Sequence, residues 1–425
     1  MPAEKKHVLI IGGGASGMMA AITAARKGVA VSLLERNSRI GKKILATGNG
    51  RCNFTNINAA LSCYQGHNPG FASGALASFN VQKTLDFFHK LGVTAKVEEH
   101  GKVFPMSDQA SSVLDVLRYE IHTCGVQVIC DAFVKSIIRK NKAVSNSSNN
   151  TFNHAFTVQL ENGDEFSGHK VILAAGGKAM PSSGSDGNAY QLAERLGHSL
   201  TPIFPALVQL KLAGSFFKQI EGVKLVGTAE IIHNLKTIAQ DSGDILFANY
   251  GVSGPPILQI SRKAGELLQK NEKVILKLNI LDKLSKEELK EHLSQRFQNS
   301  PQKTLEFSLV GLINKRLIPV LLKEAGLKDL KRPVCNVSAK EREQILNILQ
   351  DWRFIIRGTK SWSSAQVTAG GIAVNEINPY TMESKLVPGL FFAGEIVDID
   401  GLCGGFNLQW AWSSGFLAGL NATLS

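Results

Sequence analysis

The stretch from His7 to Glu35, HVLIIGGGASGMMAAITAARKGVAVSLLE, constrains this 425-residue chain more than any other. HVLII is a short apolar run rich in β-branched residues, the pattern of a buried strand. Glycines follow, then an alanine-rich helix that ends at Gly28, and VAVSLLE reads as the next strand, closing on Glu35. A strand–helix–strand unit of this kind predicts a parallel sheet. Gly12, Gly14 and Gly17 stand in GxGxxG spacing at the first turn. The first glycine permits the tight turn and the second lets a pyrophosphate reach the backbone. The third allows close helix–sheet packing, and the helix N-terminus offers N–H groups and a positive dipole end to phosphate. Glu35 ends the second strand 18 residues beyond Gly17, where an acid accepts hydrogen bonds from a ribose hydroxyl. The unit therefore predicts dinucleotide binding and leaves the choice between FAD and NAD open.

The end of the chain bears on that choice. LVPGLFFAGEIVDIDGLCGGFNLQWAWSSGFLAG holds a strand over 390–393 that delivers Gly394 and Glu395, after which Gly404 and Gly405 open a small-residue helix. In flavoproteins with two dinucleotide folds, an acid placed so bonds the ribityl chain. A helix N-terminus aimed at the pyrimidine edge favours negative charge there. A nicotinamide enzyme has no use for this second contact, so the combination points to FAD.

Between these ends, residues 80–98 read as a helix turning extended, 115–125 as a helix, and 126–140 as a strand pair. Residues 141–150, NKAVSNSSNN, read as a polar turn, and Asn162-Gly163 marks a hairpin. KVILAAGG at 170–177 is another apolar strand running into glycines, with a helix expected over 187–197. From about 201 the style changes to alternating apolar residues and then to basic amphipathic helices over 285–350; at AQVTAGGIAV the small-residue style returns. The expected organisation is an α/β, Rossmann-type FAD domain built from residues 1–200 and 367–425, interrupted by a β-plus-α domain at 201–366.

Hydrophobic residues make up 44% and charged residues 19%, an ordinary globular balance. No apolar run approaches the ~20 residues of a membrane span, and the strand at His7 leaves no room for a leader, so the cytoplasm is the expected location. Six cysteines without a CxxC and ten histidines without HExxH give no support to a disulfide framework or a metal site. No serine stands in GxSxG. Net charge is +12, and residues 201–366 carry 25 Lys plus Arg against 16 Asp plus Glu. A solvated basic face is the plain reading of that excess; a surface for a polyanion such as RNA is the sharper one.

Gly12–Gly17, Glu35, GNGRCNFTN, VILAAGG, SGPPIL and GLFFAGEIVDIDGLCGGFNLQWAWSSG together resemble the BaiN-like, aminoacetone-oxidase-like (YhiN-type) family of bacterial FAD proteins. The resemblance spans nearly the whole chain. It implies a glutathione-reductase-like FAD domain with a family-specific insertion. It also implies that Ser16, Glu35, residues Gly48, Asn49, Gly50, Arg51, Cys52 and Asn53, and then Glu395, Asn407 and Leu408 touch FAD. Val134 matches a backbone contact to adenine. Ala15, Arg36, Ala175, Gly176, Gly394, Gly405 and Phe406 complete the expected cofactor contacts. One departure stands out: where the family has a Thr-His pair in FTHxGxSGP, this chain reads FANYGVSGP, with Ala248 and Asn249.

The loop GKKILATGNGRCNFTN could be a redox loop or a phosphate cradle. Disulfide reductases of similar architecture carry CxxxxC here, but position 57 is Ile, so Cys52 has no partner for thiol exchange. The loop is expected to wrap the cofactor, with Arg51 or Lys42 and Lys43 balancing phosphate charge. Trp410, Trp412 and Cys403 read as core positions first, and Tyr250 and His198 as weak proton-donor candidates. No catalytic residue is assigned. Relatives are implied to reduce activated C=C bonds in steroid-like acids, reduce uracil in ribosomal RNA, or oxidise small amines. The leading expectation is NAD(P)H-linked reduction of an activated C=C bond of a small molecule. RNA reduction through the basic insertion, amine oxidation by O2, and a non-catalytic flavoprotein are its alternatives.

Overall fold

A computed structural model describes residues 6–140 and 155–424; the polar turn expected at 141–150 lies outside them. The chain divides into two compact units. One runs up to Phe204 and resumes at Gln366, and the other spans Pro205–Ala365.

The first unit is built on five parallel strands: β1 (His7–Ile11), β2 (Ala30–Leu34), β3 (Gln127–Ile129), β4 (Lys170–Leu173) and β5 (Leu390–Phe392). Their order across the sheet is β5-β4-β1-β2-β3. The strands nearest the middle are continuous apolar runs because both faces of the sheet are covered: Val8, Leu9, Ile10, Val171, Ile172 and Leu173 are fully buried. Helix α1 (Ala15–Ala25) crosses from β1 to β2, and α2 (Phe406–Ala422) packs along it. The contact is close because α2 turns glycines toward it: a Cβ on Gly415 would fall 2.3 Å from Ser16 O, and one on Gly419 2.5 Å from Ala20 O.

The two strands expected at 126–140 exist, but they do not pair with each other. Gln127–Ile129 joins the parallel sheet beside β2, whereas Val134–Arg139 pairs with Phe156–Leu160 in a separate three-stranded antiparallel sheet. Asp131, left-handed at φ 54°, and Ala132 donate their N–H groups to Asn37 O (3.0 Å) and Glu35 O (2.8 Å). That anchorage at the end of β2 redirects the chain before a hairpin can close. The Asn162-Gly163 turn does join antiparallel strands, Phe156–Leu160 and Glu165–Gly168.

The second unit is a closed six-stranded barrel, antiparallel at every seam: Leu210–Leu212, Gly251–Ser253, Lys236–Ala248, Lys224–His233, Ile275–Asn279 and Trp352–Thr359. Its core is aromatic. Trp352 stacks on Phe216 at 5.8 Å and meets Phe354 at 4.7 Å and Phe247 at 5.6 Å between ring centroids. Helices Lys286–Asn299 and Ala339–Gln350 bear serine capping boxes at their starts.

Candidate functional site

Four adjacent parallel strands release their chains at one edge of the sheet. Gly12 follows β1, Glu35 follows β2, Ala174–Gly176 follow β4, and Gly394–Glu395 follow β5. The carboxyl edge of an open parallel sheet is where such folds bind ligands, because only there do loops splay away from the ladder.

The glycine turn leaves β1 with Gly12 at φ 103°. A Cβ on Gly12 would sit 2.6 Å from Ala174 O, and one on Gly17 only 1.9 Å from Gly12 O, so both positions are closed to any side chain. Gly14 differs. It caps α1 in an extended conformation, and a Cβ built on it meets nothing within 4 Å. No acid occupies the first turn of α1, which leaves its N–H groups and dipole to an anion. Glu35 is buried beside this turn. Its Oε2 accepts from Gly13 N at 2.8 Å, and its Oε1 accepts from Asn37 N at 2.8 Å and Asn37 Nδ2 at 2.6 Å. A carboxylate has about four lone-pair sites, so one, on Oε2, remains for a ribose hydroxyl. Arg36 lies over the Phe133 ring at 4.7 Å and pairs with Asp186 at 2.6 Å. Val134, buried, begins the strand after Phe133.

The segment that carries GNGRCN is tied at its start to the glycine turn, Gly41 N donating to Gly13 O at 2.8 Å. Gly48, Asn49 and Gly50 are all left-handed, at φ 56°, 56° and 84°, and Cys52 is left-handed at 62°. Successive residues of this kind form concavities lined by N–H groups that suit anions. Cys52 is fully buried, and burial pushes its thiol up to about 12, so it is neither a nucleophile nor a redox partner at neutral pH. Arg51 does not serve as an uncommitted phosphate partner. It bonds Glu98 and Asp108, the latter at 2.7 Å, and lies over the Phe104 ring at 4.1 Å. These hydrogen bonds, with those from Lys96, hold both carboxyls below their ordinary range. Lys42 is exposed, while Lys43 bonds Glu395 at 2.6 Å. Asn53 Oδ1 accepts from Val103 N at 3.2 Å.

The C-terminal module meets this loop directly. Gly405, at φ 99°, is the N-cap of α2, and a Cβ there would lie 2.3 Å from Thr55 O. Asn56 Nδ2 donates to Gly404 O at 2.8 Å. As in α1, the first turn of α2 holds no acid. Asn407 both accepts from Gly401 N and donates to Gly401 O at 2.8 Å, and Leu408 follows it half-buried. Ser16 Oγ donates to Ala393 O at 3.3 Å, and Gly394, at φ 80°, has no room for a Cβ because Ser16 Oγ would stand 2.4 Å from it. Phe406 is buried, and Ala175 and Gly176 are half-exposed at the edge. Trp410 and Trp412 belong to the core: their indole N–H groups donate to Gly394 O and Phe54 O at 3.0 and 2.9 Å.

Two residues that no motif marks support the site. Asn37 anchors Glu35. Thr368 accepts from Lys178 N and Ala179 N through Oγ1, at 2.7 and 2.9 Å, while its own N donates to Glu395 Oε1 at 2.8 Å. The two proton-donor candidates fare differently. His198 is buried between Glu376 and Ser384, with bonds of 3.1 and 2.8 Å, and burial lowers its pKa; it is a structural pin. Tyr250 lies in the barrel unit beneath Lys360 Nζ at 4.5 Å, its hydroxyl pKa raised by burial.

A family model described as the HI0933-like protein Rossmann domain matches residues 6–421. The chain belongs to the HI0933-like family. It is 37% identical over 412 residues to a 3-dehydro-bile acid delta(4,6)-reductase of Clostridium scindens, covering 96% of this chain and 97% of that protein. It is 31% identical over 414 residues to a ribosomal RNA dihydrouridine synthase of Escherichia coli, covering 97% and 96%. Among solved structures, a 3-ketosteroid delta1-dehydrogenase from Sterolibacterium denitrificans shares the fold, with a TM-score of 0.50 at 12% identity over 98% of this chain and 99% of that one. This HI0933-like protein is thus an enzyme of the FAD-dependent oxidoreductase class. The open space at Gly14, the acid-free starts of α1 and α2 and the acceptor capacity of Glu35 fit FAD. Among the described residues no group of three His, Cys, Asp or Glu could hold a metal ion, and no helix is long and apolar enough to cross a membrane.

Proposed function

We propose that this protein reduces an activated C=C bond of a small molecule, with NAD(P)H as the electron donor. Bound FAD would supply hydride transfer, which side chains alone do not provide. The chain's own part is to bind and orient. Gly12–Gly17 and the left-handed 48–52 loop would hold the phosphates, Glu35 the adenosine ribose, and Glu395 the ribityl chain. The observation that carries the reading is the start of α2: Gly404 and Gly405, both left-handed, aim an acid-free helix N-terminus beside the 48–53 loop. Such a terminus stabilises negative charge at a flavin's pyrimidine edge, which two-electron reduction develops. The 37% identity to a reductase of an unsaturated bile acid adds to it.

Anaerobic stopped-flow mixing of the FAD-loaded protein with NADPH, then NADH, tests the donor, and subsequent mixing with an enone or with air tests the acceptor. Fast bleaching followed by faster reoxidation by enone than by air is the expected result. Bleaching by amines instead, with rapid reoxidation by air, would replace this reading with amine oxidation, and bleaching by neither would leave a non-catalytic flavoprotein.

A second reading, reduction of uracil in RNA, has two observations of its own. The 201–366 segment carries 25 basic against 16 acidic residues, and the relatives at 31% and 30% identity are ribosomal RNA dihydrouridine synthases. Uracil in RNA also offers an activated C=C bond, and binding would then fall steeply with salt.

A further inference from the structure

Asp398 has no part in the cofactor reading, yet it is fully buried at the same edge. Its Oδ2 accepts from His67 N at 3.1 Å and contacts His67 Nδ1 at 2.7 Å, while its Oδ1 has no hydrogen-bond partner among the described residues. The His67 side chain is 65% exposed. A fully buried carboxylate bonded to an exposed imidazole is an expensive arrangement for packing alone. An ionised carboxylate only accepts, so Nδ1 carries the hydrogen and Nε2 is left to act outward.

The position is as specific as the pair. Tyr64–Gln65 forms a short antiparallel ladder with Asp400–Gly401, and Tyr64 Oη donates to Phe406 O at 3.2 Å. Gly66 packs so closely on Asp398 that a Cβ would lie 2.3 Å from Asp398 O. Asp398 thus lies on the segment that runs from Glu395, which the cofactor reading assigns to the ribityl chain, to the start of α2, which it assigns to the pyrimidine edge, and residues 64–67 pack along that segment.

We propose that His67, oriented by Asp398, is the proton-transfer residue of this enzyme, acting through Nε2 on a substrate at the flavin; the inference rests on the C=C reductase reading above. Reduction of the double bond adds a hydride, which bound FAD would supply, to one carbon and a proton to its neighbour. Protonated His67 supplies that proton: its Nε2–H bond breaks, a C–H bond forms at the neighbouring carbon, and the imidazole left behind, its Nδ1–H still on Asp398, is reprotonated from water.

The test has two readouts. In 15N-histidine-labelled, FAD-loaded protein, the neutral His67 ring should be the Nδ1–H tautomer, should lose that preference in Asp398→Asn, and its Nε2 resonance should move when dithionite reduces the flavin. In anaerobic single turnovers of dithionite-reduced protein against 4-androstene-3,17-dione, His67→Gln should slow flavin reoxidation by ~10²-fold or more, the usual scale of a lost general acid, with FAD retention and tryptophan fluorescence reporting that the variant is folded. An Nε2 resonance indifferent to flavin redox state, or a His67→Gln variant reoxidised as fast as the parent, would overturn the assignment. A parent protein that the enone fails to reoxidise, with the resonance still responding, would overturn the C=C reading and leave His67 at the flavin.

Discussion

Lys43 Nζ lies 2.6 Å from Glu395 Oε2, although 352 residues separate the two in sequence. The pair joins the loop after β2 to the loop after β5, and Glu395 Oε1 is held in turn by Thr368 N at 2.8 Å. Both side chains are only about a quarter exposed or less, so the pair is screened less than a surface ion pair.

Replacing Lys43 by Met should therefore loosen Glu395 and raise the dissociation constant for FAD by about tenfold, or ~1.4 kcal/mol, the scale of one charged hydrogen bond. Glu395→Ala should cost more, because the Thr368 N–H loses its acceptor as well. Titration of apoprotein with FAD, followed by flavin fluorescence, measures both. An unchanged affinity in Glu395→Ala would remove this residue from the cofactor contacts.

The glycines of the first turn divide into two kinds that one sequence pattern does not distinguish. Gly17→Ala would force a methyl group to within 1.9 Å of Gly12 O, a backbone atom that cannot move aside cheaply. It should destabilise the apoprotein by more than ~2 kcal/mol, in the range of severe overpacking. Gly14→Ala meets no protein atom within 4 Å, and φ −80° suits alanine. Its apoprotein should melt within about 1 °C of the parent while FAD affinity falls at least tenfold, because the methyl group enters the space proposed for the pyrophosphate. Thermal melts of both apoproteins beside FAD titrations separate the two roles; a Gly14→Ala protein with full affinity would place the phosphates elsewhere.

The same contrast shows what was legible in the sequence. The βαβ opening could be read because a buried parallel strand, a glycine turn and an acid at fixed spacing are local features. The assembly of four strand ends, by contrast, depends on β4 pairing beside β1 and β5 beside β4, a long-range arrangement that no window of sequence contains. Arg51 illustrates what residue type leaves out. Beside a glycine-rich loop it reads as a phosphate ligand, but Glu98 and Asp108, 47 and 57 residues away, already compensate it. Thr368 and Asn37 carry no motif because what they do is hold other residues in place. His67 and Asp398, 331 residues apart, meet where the Tyr64–Gly401 ladder brings their segments together.

Cys52 should be inert in the native protein. With its thiol pushed up to about 12 by burial, only about one molecule in 10⁴ is a thiolate at pH 8, and the side chain is closed to solvent. Iodoacetamide at pH 8 followed by peptide mass spectrometry should therefore label exposed Cys335 and leave Cys52 unmodified until the protein is unfolded. Cys52→Ala should keep FAD-dependent activity within about twofold. Rapid native labelling of Cys52, or loss of turnover in the alanine variant, would restore a redox role to the loop.

Acid stability of the barrel unit should depend on Glu341. It accepts from Arg332 Nη2 at 2.6 Å and from Ser338 N and Oγ at 2.9 and 2.8 Å, and these bonds, Arg332's foremost, hold its carboxyl at about 2 against an ordinary 4.5. Because the folded value lies below the unfolded one, the unfolded chain takes up the proton first as pH falls. The stabilisation from Glu341 is therefore complete above pH 4.5 and disappears as pH falls through 2. Glu341→Gln keeps an acceptor for the cap but loses the charge facing Arg332, and at pH 7 it should lower the melting temperature by about 2–4 °C, the response of a unit this size to the ~1 kcal/mol lost when a partly exposed charged hydrogen bond becomes a neutral one. The gap between variant and parent should close steadily between pH 4.5 and pH 2 in urea titrations. A gap independent of pH would mean that the carboxylate acts through its shape and hydrogen bonds alone and that Arg332 is satisfied without it.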